Sequence, residues 1–211
     1  MIGFYNYTVV LTYMGLISAV FGICMAVSGN PFISVICLLF SGFCDMFDGK
    51  VARTKKDRTD AEKKFGIQIG SLSDLVCFGV LPAMVGYSIG MRRPLQVMVL
   101  CAYVLNALIR LAYYNVTEDE RQQHTQDVRE YYEGLPVTAS AIIIPLVFCL
   151  KAYFVTRFTL VYTVVLGMVA IAFISPIKVK KPDMKTMKIM VAFGLCAVIL
   201  IIKLIAKQKG I

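Results

Sequence analysis

The sequence predicts an all-α integral membrane protein, and three observations lead there. Of its 211 residues 58% are hydrophobic and only 17% charged, with a mean hydropathy of +0.73, too little charge to cover a water-facing surface. The apolar residues gather in runs of roughly 20, the length an α-helix needs to cross the hydrocarbon, whereas barrel strands would give alternating segments of about 10. The charges collect between those runs. A barrel, a disordered tail and a secreted disulfide scaffold are thereby excluded.

Seven spans are expected, at 7–28, 31–51, 68–90, 95–115, 134–153, 157–175 and 187–206. No Lys or Arg precedes Lys50, so the first run lacks the basic flank of a secretory signal and is expected to stay as a membrane helix. Spans 1 and 2 are joined at Ser28-Gly29-Asn30-Pro31, turn formers that make a tight helical hairpin. A basic loop at 51–66, with Arg53, Lys55, Lys56, Arg58, Lys63 and Lys64, precedes span 3. Arg92 and Arg93 mark the turn into span 4, Arg121 and Arg129 lie between spans 4 and 5, and Lys151 and Arg157 separate spans 5 and 6. Lys178, Lys180, Lys181, Lys185 and Lys188 precede span 7. No internal linker is long enough to divide the chain. The expectation is therefore one polytopic domain over 1–211, with a core at about 1–175 and an additional hydrophobic helix at about 187–206.

The 22 Lys and Arg against 13 Asp and Glu give a formal charge of +9. In a membrane protein this balance reads as topology and contact with anionic headgroups, so nucleic acid is not an expected partner. With the N-terminus inside, the loops at 51–66, 116–133 and 176–188 all face the cytoplasm, and the opposite ones hold only Arg92, Arg93, Lys151 and Arg157. Seven spans would leave Lys203, Lys207 and Lys209 outside, a conflict unless the last run fails to cross or the stronger loops override it. The seven cysteines sit inside apolar runs with no CxxC, and His124 is the only histidine, so a zinc set is not expected. Gly15, Gly22, Gly42, Gly79 and Gly86 are expected to permit close helix packing.

Ionisable groups at membrane depth are costly and by default mark function. Span 2 ends with Asp45 and Asp48, three residues apart and so on one helix face; Asp74 is placed about a turn into span 3, able to point back at them. A cation would stabilise such a cluster. Oxygen donors without nearby His favour Mg²⁺ or Mn²⁺, ions that complete their shells with water and substrate phosphate. Gly49 and Ala52 lack bulk beside the acids, and Arg53 with the basic loop offers phosphate partners.

The stretch Asp45–Asp74 resembles the signature of the CDP-alcohol phosphotransferases, D-x-x-D-G-x-x-A-R, a spacer, then G-x-x-x-D-x-x-x-D. Asp45, Asp48, Gly49, Ala52, Arg53, Gly66 and Asp74 fall in register. The runs Phe78-Gly79-Val80-Leu81-Pro82-Ala83, Arg110-Leu111-Ala112-Tyr113-Tyr114-Asn115-Val116 and Tyr132-Glu133-Gly134-Leu135-Pro136-Val137 are similar to segments of its phosphatidylserine synthase branch. The resemblance covers spans 1 to 6 and implies a six-helix membrane core, with the seventh helix as an addition. It implies transfer of a phosphatidyl group from CDP-diacylglycerol to L-serine with release of CMP, and a homodimer in the membrane with its site at the cytoplasmic face. In this reading Asp45 and Asp48 hold metal, of which the intact family site has two ions, and Asp74 is both ligand and general base. Asp48, Gly49, Ala52, Arg53 and Gly66 line the cytidine-diphosphate pocket. Arg110 and Arg129 are the candidates for the acceptor, Arg110 having an alternative as an interfacial residue that snorkels.

Three departures stand out. The spacer from Arg53 to Gly66 is about four residues longer than the commonest form, which a loop absorbs cheaply. Tyr113 stands in place of the second Arg of the run Arg110–Val116, which the branch carries as R-L-A-R-F-N-V. Most consequential, Gly70 occupies the place of the family's third aspartate, four residues before Asp74, and neither Gln68, Ser71 nor Ser73 projects from an equivalent position. A divergent enzyme, an inactive homologue and a deliberately inactivated variant all accommodate Gly70, the last two best. The same chemistry with glycerol phosphate or an inositol phosphate as acceptor is the alternative within the class. A cation transporter is the alternative outside it, and would place the acids near the bilayer midplane on broken helices.

Overall fold

The structure is a computed structural model and describes residues 3–124, 131–152, 154, 157–180 and 184–209. Helix α1 (Val10–Val27), entered through a short 3₁₀ turn, and α2 (Pro31–Ala52) form the expected hairpin. Gly29, at φ 78°, ends α1 in the left-handed conformation, Asn30 N–H donates back to Met25 O at 2.8 Å, and Pro31 starts α2. The two helices lie close because glycines on α1 face small residues on α2. A Cβ at Gly22 would sit 2.9 Å from that of Cys37, and Ser34 and Ser41 donate to the carbonyls of Gly22 and Gly15 at 2.7 and 2.9 Å.

Helix α3 (Asp60–Asp74) begins eight residues before the expected start of span 3. Thr59 caps it reciprocally with Glu62, a capping box that fixes the start in a polar stretch where hydropathy gives no signal. A π-helical turn, Leu75–Val80, then leads into α4 (Leu81–Ser88). Pro82 explains this turn: it has no N–H to give the carbonyl four residues back, so Phe78 O accepts instead from Tyr103 Oη at 2.8 Å and Ser140 Oγ at 3.3 Å. Asp60–Ser88 is thus one helical run with a bulge immediately after Asp74.

Helix α5 (Pro94–His124) runs nine residues past the expected end of span 4 and carries the charged stretch after residue 115 as helix. Helices α6 (Ser140–Cys149), α7 (Phe158–Ile174) and α8 (Met184–Lys209) follow. Four helical runs, Tyr7–Val27, Pro31–Ala52, Asp60–Ser88 and Pro94–Arg121, are long and apolar enough to cross a membrane; Val137–Cys149, Phe158–Ile174 and Ile189–Leu200 are shorter apolar helices. One addition to the all-α expectation is a two-stranded antiparallel pair, β1 (Tyr131–Glu133) with β2 (Lys178–Lys180), tying the segment before α6 to that after α7.

The core lies between α1, α2, α4, α5, α6 and α7 and is built from Leu38, Phe78, Leu81, Tyr103, Ile144, Phe148, Tyr162 and Phe173, all fully buried. Gly42 and Gly86 are packed as expected: a Cβ at Gly42 would lie 2.6 Å from Ala141, and at Gly86 about 3 Å from Met91, Leu100 and Tyr162. Large apolar residues such as Ile17, Leu72, Met98, Ile171 and Leu195 are left exposed, as expected where a bundle meets lipid rather than water.

Candidate active site

The last two turns of α2 present Asp45 and Asp48 on one face, and α3 brings Asp74 to meet them. Asp45 and Asp74 lie close enough for their carboxyls to act directly on each other, and Asp48 is near enough to act electrostatically on both. Helix α1 contributes Thr12, whose Oγ1 donates to Asp48 Oδ2 at 3.0 Å; Ser73 Oγ reaches the Thr12 carbonyl at 3.4 Å. From α5, Arg110 comes close enough to Asp74 to oppose its charge, and its guanidinium lies 5.0 Å from the centre of the Tyr114 ring. Arg110 is only 6% exposed, so the snorkelling reading is set aside in favour of a buried cation beside the acids. Nearby, Ser71 Oγ donates to Asn115 Oδ1 at 2.9 Å, joining α3 to α5.

The depth of Asp74 differs from expectation. Because α3 starts at Asp60, Asp74 stands fifteen residues into the helix and not one turn in. The early turns, with Asp60, Glu62, Lys63 and Lys64, are too polar for hydrocarbon, so they extend the helix beyond the apolar layer and leave Asp74 level with the end of α2.

Among the described residues no three carboxylate, thiol or imidazole groups already stand as a metal-holding set. Asp48 Oδ2 accepts from Thr12, Asp45 and Asp74 lie against each other, and Gly70 brings no donor. The chemistry nevertheless fits a hard divalent cation. The facing groups are carboxylate oxygens, and two carboxylates this close repel unless a proton or cation lies between them. Room exists as well, since a Cβ at Gly70 would meet nothing within 4 Å.

The basic signature residues surround a loop next to this cluster. Arg53 is exposed and folds back on its own helix, Nε donating to Gly49 O at 3.1 Å. Gly66 is covered by Arg58: a Cβ there would lie 2.7 Å from Nη2 of that arginine. The same guanidinium donates to Ala52 O at 3.4 Å and Glu62 O at 3.2 Å. Glu62 also gathers Lys55 at 2.8 Å and Asn6 at 3.0 Å, while Phe4 meets Phe65 edge to face, so the segment before α1 straps the loop. Glu62 holds the Lys55 ammonium above its ordinary pKa range. Tyr113, at the departure in the RLARFNV-like run, donates to Glu133 Oε2 at 2.9 Å. The expected acceptor residue Arg129 lies outside the described residues.

Sequence reasoning missed Thr12 and Arg58. A hydroxyl in an apolar span was the available sign for Thr12. Arg58 was read only as one of six cations in a basic loop offering phosphate partners, with nothing to single it out.

A membrane bundle whose carboxylates converge beside a buried arginine and below a basic loop defines an integral membrane site suited to a cation and a phosphorylated ligand. The chain belongs to the CDP-alcohol phosphatidyltransferase family, whose model matches residues 5–174. Among its relatives is the CDP-diacylglycerol–serine O-phosphatidyltransferase of Saccharomyces cerevisiae, 36% identical over 113 residues, covering 52% of this chain and 40% of the relative. The protein of the same name from Mycobacterium tuberculosis is 30% identical over 145 residues, 68% of this chain and 49% of the relative. That of Helicobacter pylori is 35% identical over 107 residues, 48% and 40% of the two chains. The chain thus spans about half the length of the curated relatives it matches.

Proposed function

We propose that the protein transfers the phosphatidyl group of CDP-diacylglycerol to L-serine, releasing CMP. The observation that carries this reading is the meeting of Asp45, Asp48 and Asp74 beside the buried Arg110, in a chain whose relatives bear that activity in their names. Asp45, Asp48 and Asp74 would hold divalent metal, Mg²⁺ or Mn²⁺. Ions held there would supply positive charge to offset that of the diphosphate and of the CMP leaving group.

The remaining steps belong to the protein's own residues. Asp74 accepts the proton of the serine hydroxyl as the serine oxygen bonds to the phosphorus bearing diacylglycerol; the bond from that phosphorus to the CMP oxygen breaks in the same transfer. Thr12 keeps Asp48 oriented. Arg110, close to Asp74, is placed to draw the serine carboxylate toward the base, with Arg129 as a second acceptor residue. Gly49, Ala52, Arg53 and Gly66 border the cytidine diphosphate. The site faces the cytoplasm, where the basic loops lie, and the chain acts as one membrane domain paired with a second copy. The acyl chains enter laterally between α2, α3 and α5.

Gly70 favours a further statement: this chain turns over slowly, because the position that would complete the carboxylate set holds no donor. The test is CMP release from CDP-diacylglycerol by the chain and its Gly70→Asp form, with serine, glycerol phosphate or inositol phosphate, with and without Mn²⁺. The expected result is serine- and metal-dependent release, much faster in the substituted form. Release with glycerol phosphate and none with serine overturns the acceptor; equal rates in both forms overturn the role of Gly70.

A further inference from the structure

We propose that Arg58 is a substrate-binding residue, donating to the diphosphate of the cytidine nucleotide from the spacer between the two halves of the signature. The proposal rests on the transferase reading, which puts Ala52 and Gly66 at the nucleotide pocket.

The argument begins with charge. Lys55 is ion-paired with Glu62 at 2.8 Å and Lys63 with Asp60 at 3.0 Å. Arg58 is different. Among the described residues it has no carboxylate partner, and its two hydrogen bonds go to the main-chain carbonyls of Ala52 and Glu62. Its Nε is buried and has no hydrogen-bond partner. A buried donor left open costs the desolvation of that group, and more so on a cation, so this is an arrangement that an anion would stabilise.

Position identifies the anion's chemistry. The guanidinium bridges the end of α2, through Ala52 O, and the face of α3, through Glu62 O and the surface of Gly66. It therefore sits across the gap between the two signature halves, held in place by one bond from each of Nη1 and Nη2. A guanidinium's remaining N–H groups match phosphate oxygens in a planar, two-point fashion that an ammonium cannot reproduce. The loop is braced from outside by the Asn6 to Glu62 bond and by Tyr7 with Thr54 at 3.1 Å, so Arg58 is presented from a tethered segment. Gly66 supplies the space: a Cβ there would displace Nη2.

The test is equilibrium binding of CDP-diacylglycerol to the full chain in detergent with Mg²⁺, which needs no turnover. Arg58→Ala and Arg58→Gln should each weaken binding about 10- to 100-fold, as for a lost charged hydrogen bond. Arg58→Lys, which keeps the charge, should fall between them and the unsubstituted chain. In the Gly70→Asp background Arg58→Ala should raise KM for CDP-diacylglycerol while leaving KM for serine unchanged. If Arg58 only ties the loop, the Ala and Gln variants lower the unfolding midpoint of the ligand-free chain and bind CDP-diacylglycerol as before; that result overturns the proposal and leaves the transferase reading intact. No binding by the unsubstituted chain overturns both.

Discussion

At Gly70 an added Cβ would meet nothing within 4 Å, whereas at Gly86, sixteen residues further along the same helical run, it would press on Met91 Sδ, Leu100 and Tyr162 at about 3 Å. The first half of the run faces carboxylates, Thr12-linked Asp48 and a buried arginine. The second half faces a dry core, where Tyr162 Oη bonds Pro82 O at 2.9 Å and meets the rings of Phe148 and Phe158. The two glycines are alike in sequence and opposite in use: Gly86 is a packing requirement, and Gly70 leaves a space that a side chain would fill. Between them the π-helical turn at Leu75–Val80 separates a polar end from a rigid one.

The sharpest way to test this contrast is to fill the space. In the Gly70→Asp form, serine-dependent CMP release should rise on the order of 100-fold or more, the scale of one well-placed electrostatic contact to a transition state. Asp74→Ala in that background should return release to the baseline, and unchanged turnover would remove Asp74 as the base. Stripping divalent metal from the Gly70→Asp form with a chelator should likewise abolish release, with recovery on adding Mn²⁺ or Mg²⁺; metal-independent release would break the reading of the acids as ligands.

Smaller effects probe the support of each half. Thr12→Val in the Gly70→Asp background should lower kcat about tenfold, as expected when a ligand loses its orienting bond, with little change in the unfolding midpoint. On the packed side, Gly86→Ala should destabilise the protein by about 1–3 kcal/mol through overpacking. Gly70→Ala should leave stability unchanged or raise it by up to about 1 kcal/mol, since it adds helix propensity and meets no neighbour. Equal destabilisation by the two alanines, read as unfolding midpoints in one detergent, would erase the comparison.

Much of this was legible before the structure. The Ser28–Pro31 turn, the close face of Gly15 and Gly22, and the shared face of Asp45 and Asp48 all follow from spacing within a few residues. The start of α3 was not, because the span was placed by hydropathy and the capping box of Thr59 and Glu62 begins the helix in a charged stretch. The same cause hid the continuation of α5 to His124. At the site, the sequence position of Arg110 left two roles open, and its burial close to Asp74 argues against the snorkelling one.

By itself the sequence determined that the chain lives in a membrane as helices and that Asp45 and Asp48 share one face of the second of them. Hydropathy and helical periodicity are local properties, complete within each segment. Only the tertiary structure decided which groups meet: Asp45 with Asp74, Thr12 with Asp48 across 36 residues, and Ser71 with Asn115 across 44. It also decided that Arg58 covers Gly66 and that the direction from Gly70 is open. Such contacts depend on how helices far apart in the chain cross and turn, and no spacing within one segment encodes that.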